Sequence, residues 1–342
     1  MKKLVSLLLV ACLLAALCAC GAPAAEQPVE APEATETTEA PASTEKVTVR
    51  LGALKGPTTM GLVKLLDDAE NGLTQNDYEF TMAAMADELT PQLIKGDLDV
   101  LAVPANLGAI LYQNTQGAVK FAAINALGLI YIVEKGGEEV QSVESLKGKT
   151  IYATGKGSTP EYALNYLLSQ HGLTAEDVTM EWKSEPTEVV AALSQQETGV
   201  AMLPQPFVTV AQTQVEGLRV ALDLTKEWDA LGNGSQFVTA GLIVRAAFAE
   251  EHPDALNTFL AEYAASAAFV NENVEEGAQL IEKYEIVKAP IAQKAIPFCN
   301  IVCITGAEMA ETVNGYLTVL FEQNPAAVGG ALPDDAFYYV AQ

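Results

Sequence analysis

Residues 100–104 are Val-Leu-Ala-Val-Pro, and residues 200–204 are Val-Ala-Met-Leu-Pro. Each stretch is apolar, short and closed by proline, which is typical of a buried strand that ends where a backbone donor is missing. Because the stretches share their pattern at a fixed offset, we interpret them as equivalent third strands in two similar halves of one chain.

The segments before these two strands repeat the same order of elements. The first half predicts a strand over 47–54, a turn at 55–59, a helix over 60–69, a strand over 78–84 and a helix opening near 88–91. The second half predicts a strand over 150–154, a turn at 155–159, a helix over 160–171, a strand over 178–183 and a helix opening near 185–188. Alternating strands and helices predict an α/β protein of two lobes, each a mostly parallel sheet flanked by helices. Ligands of open α/β sheets bind beyond the carboxyl ends of the strands, which places the expected cleft between the lobes.

Two crossovers are expected between the lobes. Residues 121–133 are almost wholly apolar and predict one buried strand that leads into a crossover near 134–143. A return is expected near 235–244, after which amphipathic helices without a further βαβ unit pack on the first lobe. The predicted boundaries are 46–133 plus 241–342 for lobe 1 and 134–240 for lobe 2.

The N-terminus predicts export and a lipid anchor. Lys2 and Lys3 precede an apolar run over 4–17, which is typical of a signal peptide and shorter than the roughly 20 residues that a membrane span needs. Residues 17–21, Leu-Cys-Ala-Cys-Gly, resemble the bacterial lipobox, so residues 1–20 are the predicted signal peptide and lipobox, with Cys20 as the anchor. The alternative anchors are Cys12 and Cys18, and the alternative to a lipid anchor is an ordinary secreted protein.

Composition excludes several partners. Residues 21–45 contain four Pro and six Glu but no Lys or Arg, which predicts a disordered acidic tether. The formal net charge of −25 opposes binding to nucleic acid, and it opposes contact with anionic lipid other than through the anchor. Cys299 and Cys303 lie in an apolar setting that favours buried thiols over a metal site.

Two turns carry a resemblance to a known family. Residues 55–61 are Lys-Gly-Pro-Thr-Thr-Met-Gly, and residues 156–161 are Lys-Gly-Ser-Thr-Pro-Glu. With the lipobox, they resemble the taurine, nitrate, alkanesulfonate and thiamine-precursor group of ABC-importer binding proteins, over essentially all of residues 46–342. The resemblance implies the type II periplasmic-binding-protein fold. It also implies hinge closure on a small molecule. We further expect delivery to an ABC permease with its ATPase, a monomer that its lipid anchor holds on the extracytoplasmic face of the membrane, and no cofactor.

The same turns supply the first candidate ligand contacts, because a strand that ends where a helix begins leaves N–H groups pointing outward. Further candidates follow the other strand ends. The predicted ligand-binding residues are Lys55, Thr58, Thr59, Met60, Ala86, Asn106, Asn125, Ser158, Thr159, Pro160, Gln205 and Asn300. Four of these residues also have a purely structural interpretation. Ser158 fits a capping box with Glu161, Asn106 could cap a helix, Asn125 could bond to buried backbone, and Gln205 could be a solvated turn residue. Members of the family often carry Glu where this chain has Gln205, so the neutral amide argues against a strongly cationic ligand.

Catalytic constellations are sparse in the sequence. Its two histidines, His171 and His252, do not follow predicted strands, and residues 155–158 match neither nucleotide-binding glycine pattern. We therefore expect a protein that is not an enzyme and holds no metal, and that binds a small polar or anionic organic molecule. An envelope sensor and a biosynthetic enzyme on the same fold are the alternatives.

Overall fold

A computed structural model describes residues 46–341. The predicted signal peptide, the anchor Cys20 and the acidic tether lie outside the described residues. Within the described part of the chain, no helix combines the length and the apolarity needed to cross a membrane.

Among the described residues, eleven strands, numbered in chain order, form two sheets. The first sheet has the order β11-β4-β10-β3-β1-β2 and contains β1 (Thr48–Leu54), β2 (Asp77–Ala83), β3 (Val100–Pro104), β4 (Val119–Leu127), β10 (Val238–Arg245) and β11 (Ile301–Ile304). The second has the order β7-β6-β8-β5-β9 and contains β5 (Ile130–Lys135), β6 (Thr150–Ala153), β7 (Thr179–Trp182), β8 (Gly199–Pro204) and β9 (Leu218–Asp223).

Helices cover both sheets. They are α1 (Pro57–Met60), α2 (Val63–Glu70), α3 (Ala86–Lys95), α4 (Ala105–Asn114), α5 (Thr159–Gln170), α6 (Pro186–Ser194), α7 (Phe207–Gln214), α8 (Leu224–Ala230), α9 (Ala246–Glu251), α10 (Pro253–Glu272), α11 (Val274–Lys283), α12 (Ala289–Ala295) and α13 (Gly306–Gln323). The two-lobed α/β prediction is confirmed.

The internal repeat is visible in the strand order. In the first sheet β1 pairs in parallel with β2 and β3, and in the second β6 pairs in parallel with β7 and β8. The next position in each sheet holds an antiparallel strand, β10 beside β3 and β5 beside β8. Because β5 follows directly from lobe 1 and β10 returns from lobe 2, each sheet is completed by a strand that has just crossed over.

The predicted single strand over 121–133 is wrong. The chain leaves the first sheet after Leu127 and enters the second at Ile130, with Gly128 and Leu129 between them. Lobe 2 therefore begins near residue 128 and not at 134, and lobe 1 resumes at Val238 and not at 241. Hydropathy could not show the change of sheet, because β4 and β5 are both buried and the apolar run continues through the crossover.

The C-terminal hundred residues contact both lobes. Helices α10 to α12 pack on the first sheet, as predicted, but β11 adds an edge strand that the sequence did not indicate. Helix α13 also contacts lobe 2, where the ring of Tyr316 lies 5.5 Å from that of Trp228 and 6.1 Å from that of Phe237. This aromatic cluster covers the return crossover.

Candidate functional site

A cavity of about 860 Å³ lies between the two lobes. Its wall includes, or directly follows, the carboxyl ends of all six parallel strands: Leu54, Ala84, Pro104, Thr154, Trp182 and Pro204. The two crossover strands enter at the same place, through Ile130 and Ala240. The cleft is thus where the rule for open α/β sheets predicts a ligand.

The first turn places two of its four candidates at the cavity. Lys55 is exposed on the wall, and Thr58 lines it while its hydroxyl donates to the carbonyl of Leu54 at 2.7 Å. Thr59 is fully buried and donates to the same carbonyl at 2.6 Å. Met60 is also fully buried, with its sulfur 3.9 Å from that of Cys299. Thr59 and Met60 therefore shape the turn from behind.

The second turn places all three of its candidates, Ser158, Thr159 and Pro160, on the cavity wall. The hydroxyl of Ser158 donates to the carbonyl of Gly155 at 2.9 Å, and the carboxylate of Glu161 accepts from the N–H of Gly157 at 2.5 Å. The capping-box interpretation of Ser158 is wrong, since its side chain caps no N–H of α5. Gly155 has φ +83°, and a Cβ there would lie 2.7 Å from the ring of Pro160, so the tight turn requires glycine.

Ala86 also lines the cavity, at the first residue of α3, but four further predicted residues, like Thr59 and Met60, do not. Asn106 is fully buried and joins the lobes: its side-chain oxygen accepts from the hydroxyl of Thr159 at 3.1 Å, and its amide donates to the carbonyl of Ala327 at 3.0 Å. The amide of Asn125 donates to the carbonyl of Thr58 at 3.2 Å, which supports the first turn from below.

The other two lie in the connections. Gln205 is buried, and its side-chain oxygen accepts from the hydroxyl of Thr209 at 2.9 Å, in the first turn of α7. The amide of Asn300 donates to the carbonyl of Gly128, in the crossover between the sheets. Each of these four amides forms at least one hydrogen bond within the protein, although the side-chain oxygen of Asn125 has no partner among the described residues. A polar residue after a strand therefore did not by itself mark the cavity.

Several residues of the cavity wall are not among the predicted ligand-binding residues. Trp182 ends β7, and Lys156 and Lys183 belong to the loops after β6 and β7. The strand-end rule could have found all three. Thr239 could not have been found, because a register shift between Val238 and Ala240 leaves it as the extra residue of a β-bulge in β10. Its hydroxyl is buried and has no hydrogen-bond partner among the described residues.

The charges on the cavity wall differ in sign from the charge of the whole chain. Three lysines, Lys55, Lys156 and Lys183, face two carboxylates, Asp87 and Glu188. The carboxylate of Glu188 already accepts from the N–H of Ser184 at 2.9 Å. In a chain with a formal net charge of −25, the cavity wall therefore has one more lysine than carboxylate, and Lys55 and Lys156 have no salt-bridge partner among the described residues.

A family model described as NMT1/THI5 like matches residues 90–276, which is more than half of the chain. The chain belongs to the NMT1/THI5-like family. The matched residues run from α3 through the whole of lobe 2 and on to α11. They therefore include the second turn and Trp182 as well as both crossovers.

Solved structures resemble this NMT1/THI5-like chain along most of its length. An ABC transporter protein from Parabacteroides distasonis has a TM-score of 0.72 at 23% identity, covering 87% of this chain and 100% of its own. The periplasmic aliphatic sulphonate binding protein SsuA from Escherichia coli has a TM-score of 0.70 at 19% identity, covering 87% and 94%. The periplasmic nitrate-binding protein NrtA from Synechocystis PCC 6803 has a TM-score of 0.60 at 15% identity, covering 82% of both chains.

No curated protein sequence matches the chain. The likeness to the solved structures confirms the predicted type II periplasmic-binding-protein fold.

Proposed function

We propose that this protein is the extracytoplasmic ligand-binding component of an ABC importer, which captures a small polar or anionic organic molecule between its lobes. The observation that carries the proposal is the cavity, which receives equivalent turns from both lobes at the carboxyl ends of all six parallel strands. A wall divided between two lobes suits a site that closes on its ligand.

The crossovers provide a hinge for such closure. At the first crossover, the carbonyl of Gly128 accepts from Asn300, the N–H of Leu127 donates to the carbonyl of Asn300 at 3.1 Å, and the carbonyl of Leu129 accepts from the N–H of Gln205 at 3.0 Å. The hydroxyl of Tyr131 donates to the carbonyl of Phe298 at 3.4 Å. Burial raises the pKa of Tyr131 to about 12, so this donor keeps its proton at neutral pH. A ligand that contacts both lobes binds the closed form better and shifts the population toward it.

Two observations favour an anionic ligand. The cavity wall has an excess of lysine over carboxylate, and Lys55 and Lys156 have no salt-bridge partner within residues 46–341. The similar proteins SsuA and NrtA are named for sulphonate and nitrate, which are both anions. In this proposal the closed form is presented to a permease that its ATPase drives, Cys20 anchors the protein to the membrane, and the protein acts as a monomer without chemistry of its own.

Native mass spectrometry of the freshly purified, full-length chain tests the proposal. A single stoichiometric adduct of small mass is the expected result, and its mass identifies the ligand. A second sample, unfolded and refolded by dialysis, should lose the adduct and recover it when the extracted small molecules are returned. If the fresh protein carries no adduct and binds nothing from a metabolite extract, the capture function is rejected.

The genes beside the coding sequence separate transport from sensing. An adjacent permease and ATPase supports import, whereas a neighbouring receptor without them would assign the same binding event to a sensor subunit.

A further inference from the structure

We propose that the cavity selects organic anions that carry an aromatic ring, in preference to inorganic and aliphatic anions. This inference rests on the proposed capture function and specifies its substrate class. It is drawn from the side chains that the two lobes bring to the cavity wall.

An aromatic surface is available to the ligand at Trp182. This residue packs partly against the main core and also lines the cavity, at the end of β7. The other tryptophan, Trp228, is fully buried in the aromatic cluster, so the two have different roles. A half-buried indole at a cavity wall offers a planar apolar surface on which a ring can stack.

Apolar side chains continue the wall away from Trp182. Leu129 and Ile130 of the crossover also line the cavity but are already buried. The apolar surface that remains exposed belongs to Leu54 and Leu107 of lobe 1 and to Met85 at the start of α3. An inorganic anion or a short aliphatic sulphonate would leave this surface in contact with water, which forfeits the free energy of burying it. The volume of about 860 Å³ is in the range of cavities that hold drug-sized organic molecules.

The charged groups set the sign of the ligand. Lys156 is exposed at the second turn, beside Ser158, and Lys183 follows Trp182 directly. The ammonium of Lys183 lies 3.8 Å from the carboxylate of Glu181 and 5.7 Å from the centre of the Tyr152 ring, and neither partner is on the cavity wall, so Lys156 is the lysine of this lobe that is free to meet an anion. Lysine and tryptophan are therefore neighbours on lobe 2, as an arene carboxylate or arene sulphonate requires.

The floor of the cavity adds one polar contact. Thr239 is about nine-tenths buried, lines the cavity, and its hydroxyl has no partner among the described residues. A buried hydroxyl without a partner costs free energy until a ligand or a water completes its hydrogen bond. A hydrogen-bonding group of the ligand would complete it.

Isothermal titration calorimetry with three probes tests the inference on the full-length protein. Benzenesulfonate carries both ring and charge, methanesulfonate keeps the charge without the ring, and benzenesulfonamide keeps the ring without the charge. We expect benzenesulfonate to bind at least roughly tenfold more tightly than either of the other probes. Methanesulfonate lacks the burial and stacking of the ring, and benzenesulfonamide lacks the charge.

Matched variants assign the two effects to residues. Trp182→Leu should weaken benzenesulfonate by roughly tenfold and leave methanesulfonate unchanged, whereas Trp182→Phe keeps a ring and most of the affinity. Lys156→Gln should weaken both sulfonates. Lys147→Gln removes the same charge before β6, at the end of the strand opposite the cavity, and should weaken neither.

Methanesulfonate binding as tightly as benzenesulfonate, or benzenesulfonamide binding equally well, would overturn the inference while the capture function stands. If none of the three probes binds at millimolar concentration, the inference is rejected, and the co-purified mass alone decides the capture function. An aliphatic or inorganic co-purified ligand also overturns the inference without affecting capture.

Discussion

Gly128→Ala should destabilise the protein through a single steric contact. A Cβ at position 128 would lie 2.1 Å from the hydroxyl oxygen of Thr225 and 2.9 Å from its Cβ and Cγ2. Gly128 does not have a left-handed φ, so the contact and not the backbone conformation decides the outcome. The chain cannot easily move away, because the carbonyl of Gly128 accepts from Asn300 and the first turn of α8 is capped by Asp223.

Overpacking of this kind costs about 1–3 kcal/mol, so the free energy of unfolding should fall by about 2 kcal/mol. Guanidinium unfolding followed by circular dichroism measures it, and tryptophan fluorescence reports locally, since Trp228 lies on the same helix as Thr225. Thr225→Ala removes the clashing hydroxyl, which is buried without a partner among the described residues, and alone should change stability by less than about 1 kcal/mol.

A double-mutant cycle completes the test. In the Thr225→Ala background the contacts with the hydroxyl and Cγ2 are gone but the 2.9 Å contact with Cβ remains, so Gly128→Ala should cost about 1 kcal/mol less than in the wild type, which is the expected coupling between the two positions. An unchanged cost in both backgrounds would refute the contact, and a Gly128→Ala protein as stable as the wild type would refute the strain.

Three further changes test other contacts. Burial alone would raise the pKa of Asp99, but hydrogen bonds from Arg50 and Arg245 outweigh it and hold the pKa below its ordinary value. That stabilisation is present at neutral pH and is lost as pH falls through the lowered pKa. Asp99→Asn should therefore reduce the free energy of unfolding by about 3 kcal/mol at pH 7 and flatten the loss of stability below about pH 4. If the free energy of unfolding falls with the same slope below about pH 4 in the variant and the wild type, the role of Asp99 is contradicted. Thr159→Val should reduce the free energy of unfolding by about 1 kcal/mol, because it removes the hydrogen bond to Asn106. In a protein that already carries Asn106→Ala, Thr159→Val should cause no further loss, which thermal unfolding of the single and double variants measures. Cys20→Ala should release the protein from membranes on fractionation, and retention in the membrane fraction would discredit the anchor.

The repeat was predictable because strand and helix periods survive in the sequence wherever one face of an element is buried. Both third strands were located correctly, and their closing prolines lie on the cavity wall. The crossover was misplaced because a continuous apolar run does not reveal that the chain has changed sheets. Within that run, Gly128 was the one residue that indicated where the chain crosses between the sheets.

The site was partly predictable for a related reason. Sequence position relative to a strand end placed Thr58, Ser158 and Thr159 at the cavity, but it could not tell which polar groups the protein itself would engage. Asn106 and Gln205 follow strands closely, but Asn106 accepts from Thr159 of the other lobe, Gln205 accepts from Thr209 in the first turn of α7, and neither lines the cavity. The bulge at Thr239 depends on the pairing of β10 with β4, which no local pattern records.

The position of β10 has a consequence for how the protein reaches its native state. This strand lies between β3 and β4, yet more than a hundred residues separate it from either in the chain. Until residues 238–245 arrive, β3 and β4 have no partner between them and expose strand edges, whereas all five strands of lobe 2 lie within residues 130–223. Closing such a long loop is slow, so lobe 2 should acquire protection from amide hydrogen exchange first. Lobe 1, which contains the first strand in the chain, would then be the last to fold.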